Sequence, residues 1–238
     1  GKEYICDKGW TKKVNINKVN HVNNGVDLAE FERNRQLYTL ENSQIANDDA
    51  FKVVYMGSIR KVNNLQTLVD AARELKNENV HFYIYGDGTE KDMLEEQCRK
   101  QALNVKFEGR VEKKYIPYIL SQSDLNIINV QGAGINRYGC SWNKLFEYMA
   151  SKKPILCNLP IEHDLIRERK LGVAKKFKTA KEYAQEIIVF KNMSDKDYKN
   201  YCDRLEKTAR EYDYQTLSDK IEFIMKKAIN ISKNKNLS

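Results

Sequence analysis

Phe51-Lys52-Val53-Val54-Tyr55-Met56-Gly57 is a short apolar run closed by Gly, the pattern of a buried strand. Asn63-Asn64 follows as an expected cap, and Leu65, Leu68, Val69, Ala72 and Leu75 then fall on one stripe of a helix. The unit repeats. Val80-His81-Phe82-Tyr83-Ile84-Tyr85-Gly86 is a second strand, with a charged helix from Thr89 to Gln101 behind it. Val105-Lys106-Phe107-Glu108-Gly109 is a third, followed by a helix near Tyr115 to Ser121, and Asp124 to Val130 is a fourth. Alternating units of this length imply an α/β fold, a Rossmann-like parallel sheet with helices on both faces. Ligands of such sheets bind beyond the carboxyl ends of the strands. The loops opening at Gly57, Gly86, Gly109 and Val130 are therefore the ones to search.

Further along, Pro154-Ile155-Leu156-Cys157 and Gly172-Val173-Ala174 read as two more short strands. Residues 179–191, 194–212 and 214–231 then form a helical C-terminus, with a fraying Asn-, Lys- and Ser-rich end. Residues 1–50 differ in character, with a short extended run before His21-Val22-Asn23-Asn24-Gly25-Val26-Asp27 and a polar linker after it. They are expected to be the tail of a preceding domain plus a linker, with residues 51–238 as the main domain.

Composition excludes several classes. The charged share is 31% and the apolar share 41%, as in a globular protein, and no apolar run nears the length of a membrane span. Gly1 to Asp7 lacks the charged-then-apolar pattern of a signal peptide. Cys6, Cys98, Cys140, Cys157 and Cys202 form no C-x-x-C pair, and His21, His81 and His163 show no metal spacing, so reduced thiols and no metal site are expected. The net charge is +8, but the cations mix with 33 acidic residues and form no basic stripe. Nucleic acid is not the expected partner. Phosphorylated small molecules or an anionic membrane surface account for the charge equally well.

The densest signal is Ser141-Trp142-Asn143-Lys144-Leu145-Phe146-Glu147-Tyr148-Met149-Ala150, followed by Lys152-Lys153-Pro154-Ile155. A polar loop runs into a helix whose first-turn amides lack intrahelical partners, an arrangement suited to a diphosphate. One turn further in, the Glu147 carboxylate can accept from two adjacent ribose hydroxyls. The same residues also read as a capped helix with an exposed Glu near its positive end. Gly86-Asp87-Gly88 and Gly132-Ala133-Gly134 lack the full dinucleotide fingerprint and read as tight turns. Asp195-Lys196-Asp197 imitates a metal-binding D-x-D, but Ser194 before it makes a helix cap the better account. Arg137 is a loop cation that could meet a donor or an anionic acceptor, or serve neither.

Taken in order, Tyr55-Met56-Gly57-Ser58-Ile59, Gly86-Asp87-Gly88 with Glu90, Phe107-Glu108-Gly109-Arg110-Val111, Asp124, and Asn143 to Pro154 resemble the C-terminal half of GT-B glycosyltransferases, with Asn24 to Asp27 upstream. The nearest resemblance is to the retaining, family 4 type enzymes of capsule, O-antigen and teichuronic acid synthesis. It implies one half of a GT-B fold that binds a nucleotide-diphosphate sugar, UDP favoured, for metal-independent hexosyl transfer with retention. No cofactor is implied. The acceptor, a saccharide or lipid-linked saccharide, would be held by the N-terminal half. The implied location is cytoplasmic, with peripheral contact at the inner membrane face.

On this resemblance Glu147 matches the second acid of the E-x7-E motif, which holds the ribose. The first acid falls on Gly139 and is absent, which leaves the sugar end of the site without its usual group. Gly57, Ser58, Gly139, Cys140, Ser141, Asn143 and Lys144 would line the diphosphate and sugar, and Gly109-Arg110-Val111 would meet the base. Many relatives place an Arg just after the first-strand Gly and a Lys five residues later, where this chain has Ser58 and Asn63. Arg60 and Lys61 lie between and could supply the charge from a shifted loop, or stand as two solvated surface cations. Two alternatives stay open: a non-catalytic nucleotide-sugar-binding subunit, and a GT-B-related nucleotide-sugar epimerase, which would need further acids and histidines.

Overall fold

A computed structural model describes residues 1–235 except 42, 133–137, 139–141 and 162, with backbone only for 231–235. Six parallel strands form one sheet in the order β3-β2-β1-β4-β5-β6: β1 (Phe51–Met56), β2 (Val80–Tyr85), β3 (Val105–Gly109), β4 (Leu125–Ile128), β5 (Ile155–Cys157) and β6 (Gly172–Ala174). The order reverses between β1 and β4, where strand neighbours lead away in opposite directions. In an open sheet of this kind that crevice is where ligands bind.

The helices in chain order are α1 (Lys2–Asp7), α2 (Leu28–Leu37), α3 (Leu65–Glu74), α4 (Lys91–Lys100), α5 (Ile116–Ser121), α6 (Asn143–Ala150), α7 (Leu165–Glu168), α8 (Ala180–Lys191), α9 (Asp195–Glu211) and α10 (Tyr214–Lys235). Alternation along β1 sorts them into two layers. Val53 and Tyr55 face a core built with α3, α4 and α8, whereas Val54 and Met56 face one built with α5, α6 and α9. Both faces are apolar, which is why the strands read as continuous hydrophobic runs. No helix among the described residues is long and apolar enough to cross a membrane.

The first 50 residues depart from expectation. Before His21 the chain forms α1 and two 3-10 turns rather than an extended run. After Asp27, where a polar linker is expected, it forms α2, which packs on α5 and buries Phe31. Asp27 caps this helix by accepting from the Glu30 N–H at 2.7 Å. Val26 bridges to Asp213 beside the start of α10, so this segment lies on the domain. Ile45 is fully buried in the same core layer.

The expected Asn63-Asn64 cap also differs. Lys61 to Asn63 form a 3-10 turn, and Asn64 is left-handed at φ 47° without a side-chain cap bond. Thr67 instead donates its hydroxyl to the Asn64 carbonyl at 2.9 Å. At α9 the Ser194 hydroxyl accepts from the Asp197 N–H at 3.1 Å, so Asp195 and Asp197 occupy a capped first turn as expected. Helix α10 runs to Lys235, four residues past its expected end.

Candidate functional site

The carboxyl ends of β1, β2 and β3 meet closely. A Cβ on Gly86 would lie 1.8 Å from the Gly57 carbonyl oxygen, and Gly86 itself sits at φ 134°. Only Gly lets the two chains touch there. The Gly86 N–H donates to the Gly109 carbonyl at 2.7 Å, and the Arg110 guanidinium meets Asp87 at 3.5 Å, which ties the second loop to the third. Gly109, at φ 72°, has open space where a side chain would stand, so a planar ligand can approach its backbone. Arg110 is largely exposed, and Val111 packs partly against the core.

Helix α6 rises from the crevice between β1 and β4. Leu145, Phe146, Tyr148, Met149 and Ala150 are buried, which leaves Asn143, Lys144 and Glu147 as its polar side chains. The Tyr148 hydroxyl is completely buried, accepting from the Met56 N–H at 2.9 Å and donating to the Ile127 carbonyl at 3.2 Å. It stitches the helix to both strands of the crevice. Its neighbour Glu147 is half-buried and opens on a cavity of about 390 Å³ that Asn24, Phe31, Lys113 and Asn143 also line. Burial pushes the Glu147 carboxyl up, against the pull of the Lys113 and Lys144 ammonium groups.

Lys144 turns the other way. Its Nζ lies 4.1 Å from the centroid of the Tyr55 ring, and a Cβ on Gly57 would stand 2.7 Å from it. Burial depresses this ammonium to about 8. The Tyr55 hydroxyl donates to the Ser58 carbonyl at 2.8 Å, and the Ser58 hydroxyl donates to the Asn63 side chain at 3.0 Å, which shapes the loop after β1. Arg60 and Lys61 are exposed on that loop.

Of the expected residues, then, Glu147, Asn143, Lys144, Gly57 and Ser58 converge on the crevice, and the Gly109 segment borders it. Gly139, Cys140 and Ser141 lie outside the described residues, as do Arg137 and the Ala133-Gly134 turn. Two participants escape sequence reasoning. Lys113 faces Glu147 from the turn before α5, and Asn24 donates to the Asn143 side chain at 2.5 Å across 119 positions of chain. Nothing in local pattern marks Lys113 beside Lys114; the Asn24-Gly25-Val26-Asp27 segment was visible, but its contact was not. A larger cavity of about 530 Å³, bordered by Lys2, Glu3, His21 and His163, includes none of the expected residues.

The fold has counterparts. A glycosyltransferase from Rickettsia africae superimposes with a TM-score of 0.72 at 15% identity, over 90% of this chain and 58% of that one. Anabaena HepE, solved with UDP and glucose, gives 0.67 at 18%, over 87% of this chain and 56% of its own. The C-terminal domain of the group 1 family protein LpcC from Francisella tularensis gives 0.59 at 19%, over 80% of this chain and 100% of that domain. The chain thus spans little more than half the length of the first two, and the fold is one Rossmann-like half of a GT-B architecture. No curated protein sequence matches it. The sequence profile described as "Glycosyl transferases group 1" matches residues 39–212. The chain belongs to the glycosyl transferases group 1 family.

Proposed function

We propose that this chain is the donor half of a nucleotide-sugar glycosyltransferase, with UDP as the favoured nucleotide. The observation that carries the reading is the placement of Glu147 one turn inside a helix that starts at the β1–β4 crevice. Amide N–H groups at the helix start suit the diphosphate, and the carboxylate beyond them suits two ribose hydroxyls. Gly109, Arg110 and Val111 are assigned to the base. Gly57, Ser58, Gly139, Cys140, Ser141, Asn143 and Lys144 are assigned to the diphosphate and sugar, with Arg60 and Lys61 adding charge from the loop after β1. UDP in the HepE structure and the group 1 profile both support this reading.

The reaction is transfer of a hexosyl group from the donor to an acceptor hydroxyl. Its hard part is the negative charge that grows on the leaving diphosphate, which fixed N–H groups and cations offset without a metal ion. The enzyme is of the retaining family 4 type and acts in surface polysaccharide synthesis at the cytoplasmic face of the membrane. A saccharide or lipid-linked acceptor is held by the other half of the GT-B architecture.

Calorimetric titration with UDP, GDP, dTDP and 2′-deoxy-UDP tests the donor assignment. UDP is expected to bind best, with affinity unchanged by a chelator. Glu147→Ala should weaken UDP at least tenfold while changing 2′-deoxy-UDP much less. No heat with any nucleotide, from protein with a cooperative melt, would sink the reading.

A further inference from the structure

Three successive residues past the carboxyl end of β4 are fastened sideways by hydrogen bonds outside the sheet ladder. The register of β4 ends at Ile127 against β1 and at Ile128 against β5. Beyond it the chain enters the crevice where the strand order reverses. Asn129 is completely buried there, and its side-chain N–H groups donate to the Asn64 carbonyl and the Thr67 hydroxyl, both at 3.0 Å. Val130 is held from the other side. Its N–H donates to the Asn158 side chain at 2.9 Å, and Asn158 donates back to the Val130 carbonyl at 3.1 Å. The Gln131 N–H then donates to the Val62 carbonyl at 2.7 Å.

We propose that Asn129 and Asn158 are positioning residues for donor binding. They join the loops after β1, β4 and β5 into one unit and so fix the loop that carries Ser58, Arg60 and Lys61. This inference rests on the donor-domain reading above and adds to it two residues that act on the donor only through those loops.

The chemistry of the amide supports it. Asparagine carries both a donor and an acceptor, so Asn158 offers Val130 what a residue of a neighbouring strand would offer where the ladder has stopped. Asn129 uses its Nδ2 twice, and its Oδ1 accepts from the Tyr183 hydroxyl at 2.6 Å. A buried polar network with every member satisfied specifies one arrangement. The consequence falls on Asn64, which is left-handed at φ 47° although it is not glycine. Such a backbone persists only where its surroundings over-determine it, and Asn129 and Thr67 both hold its carbonyl. The Asn64 N–H meets the Lys61 carbonyl at 3.0 Å, the Asn63 N–H meets the Arg60 carbonyl at 2.8 Å, and the Ser58 hydroxyl donates to the Asn63 side chain at 3.0 Å. Hydrogen bonds and adjacent residues thus run without a break from Asn158 after β5 to Ser58 after β1. The clasp stands at the carboxyl ends of the strands, where sheets of this kind bind ligands.

The test compares UDP with uridine, which lacks both phosphates, by calorimetry on the unmodified chain, Asn129→Ala, Asn158→Ala and Asn158→Asp. Both alanine variants should weaken UDP at least fivefold and leave uridine within twofold, because Glu147 and the Gly109 segment stand outside the clasp. Asn158→Asp should fall between, since aspartate keeps the acceptor for the Val130 N–H and lacks the donor. Tyr183→Phe, which leaves both Nδ2 bonds of Asn129 in place, should bind UDP as the unmodified chain does. In Asn158→Ala the Gln131 amide should exchange its hydrogen at least tenfold faster. If Asn129→Ala does not fold, the two Asn158 variants decide alone. Alanine variants that melt cooperatively and bind UDP within twofold of the unmodified chain overturn the assignment, and so does unchanged exchange at Gln131. Equal losses for UDP and uridine overturn it too, because they mark a structural role. If the unmodified chain binds UDP and only these comparisons fail, the donor reading survives; if it binds no nucleotide, both fall.

Discussion

Replacing Tyr148 by Phe removes one oxygen atom from the place where helix and sheet meet. That oxygen accepts from the Met56 N–H at 2.9 Å and donates to the Ile127 carbonyl at 3.2 Å, with the ring fully buried. Each bond contributes about 0.5–1.5 kcal/mol net, so the pair is expected to cost about 1–3 kcal/mol. For a chain of this size that lowers the melting temperature by about 2–12 °C. Urea titration should show a lower midpoint with an unchanged slope, because no surface is newly exposed in the native state. The second consequence is functional. Tyr148 adjoins Glu147, and its hydroxyl fixes the height of α6 above β1 and β4, so UDP affinity should fall as well.

Tyr183→Phe separates the two effects. Its hydroxyl donates to the buried Asn129 side chain at 2.6 Å, in the opposite core layer. That variant should lose about 1 kcal/mol of stability, as for one buried bond, and keep its UDP affinity. Two outcomes would refute the reasoning about Tyr148. One is a Tyr148→Phe melt within about 1 °C of the unmodified chain, less than the smallest shift expected for the lost bonds. The other is a loss of UDP binding equal in the two variants.

Gly86→Ala drives a methyl group to 1.8 Å from the Gly57 carbonyl oxygen at φ 134°, so backbone strain and overpacking together should cost about 2–6 kcal/mol, read as insoluble protein or a large drop in melting temperature. A soluble variant melting near the unmodified chain would contradict the close approach. Arg60→Ala with Lys61→Ala should weaken UDP several-fold at low ionic strength and hardly at all in 0.5 M salt, on the order of a 4 Å screening length; a loss that survives salt would mean direct contact. Asp48 accepts from Tyr83 and meets the His81 ring at 2.6 Å, and these hydrogen bonds outweigh burial and hold its carboxyl below the usual range. An acid depressed in the folded state adds stability above its unfolded value near about 3.9, and loses it as the pH falls further. Asp48→Asn should therefore be less stable than the unmodified chain at pH 7, with the gap closing below about pH 4, in the window set by that unfolded value.

The sheet was legible because its strands are buried on both faces. Val53-Val54-Tyr55-Met56 and Phe82-Tyr83-Ile84-Tyr85 carry no polar interruption, and every strand expected from such a run is present. Helix α2 was not legible in the same way. Leu28-Ala29-Glu30-Phe31-Glu32-Arg33-Asn34-Arg35-Gln36-Leu37 buries Phe31 alone, and one anchor leaves no stripe to read. A signal did exist in Asp27 followed by Glu30, the acid-cap spacing that opens many helices. Within the site, Glu147 and its helix could be found from local order. The direction of Lys144 could not, because it depends on the ring of Tyr55, 89 positions earlier in the chain. Lys113 and Asn24 are likewise products of tertiary packing.

Helix α6 shows why these groups belong together. Its eight residues hold five buried apolar side chains and three polar ones, at positions 143, 144 and 147. A spacing of four returns a helix to the same side, so Asn143 and Glu147 face one cavity together, while Lys144 reaches the Tyr55 ring. Tyr148 then locks the helix to β1 and β4, and Phe146 packs on Tyr212 with ring centroids 5.5 Å apart. The polar groups therefore sit on a turn whose position the core determines, before any ligand arrives. Such preorganisation reduces the ordering cost of binding. It also means that a defect in the α6 core should reach the ligand: changes at Phe146 or Tyr148 are expected to weaken nucleotide binding without touching it, whereas changes in the α3–α8 layer should lower stability alone.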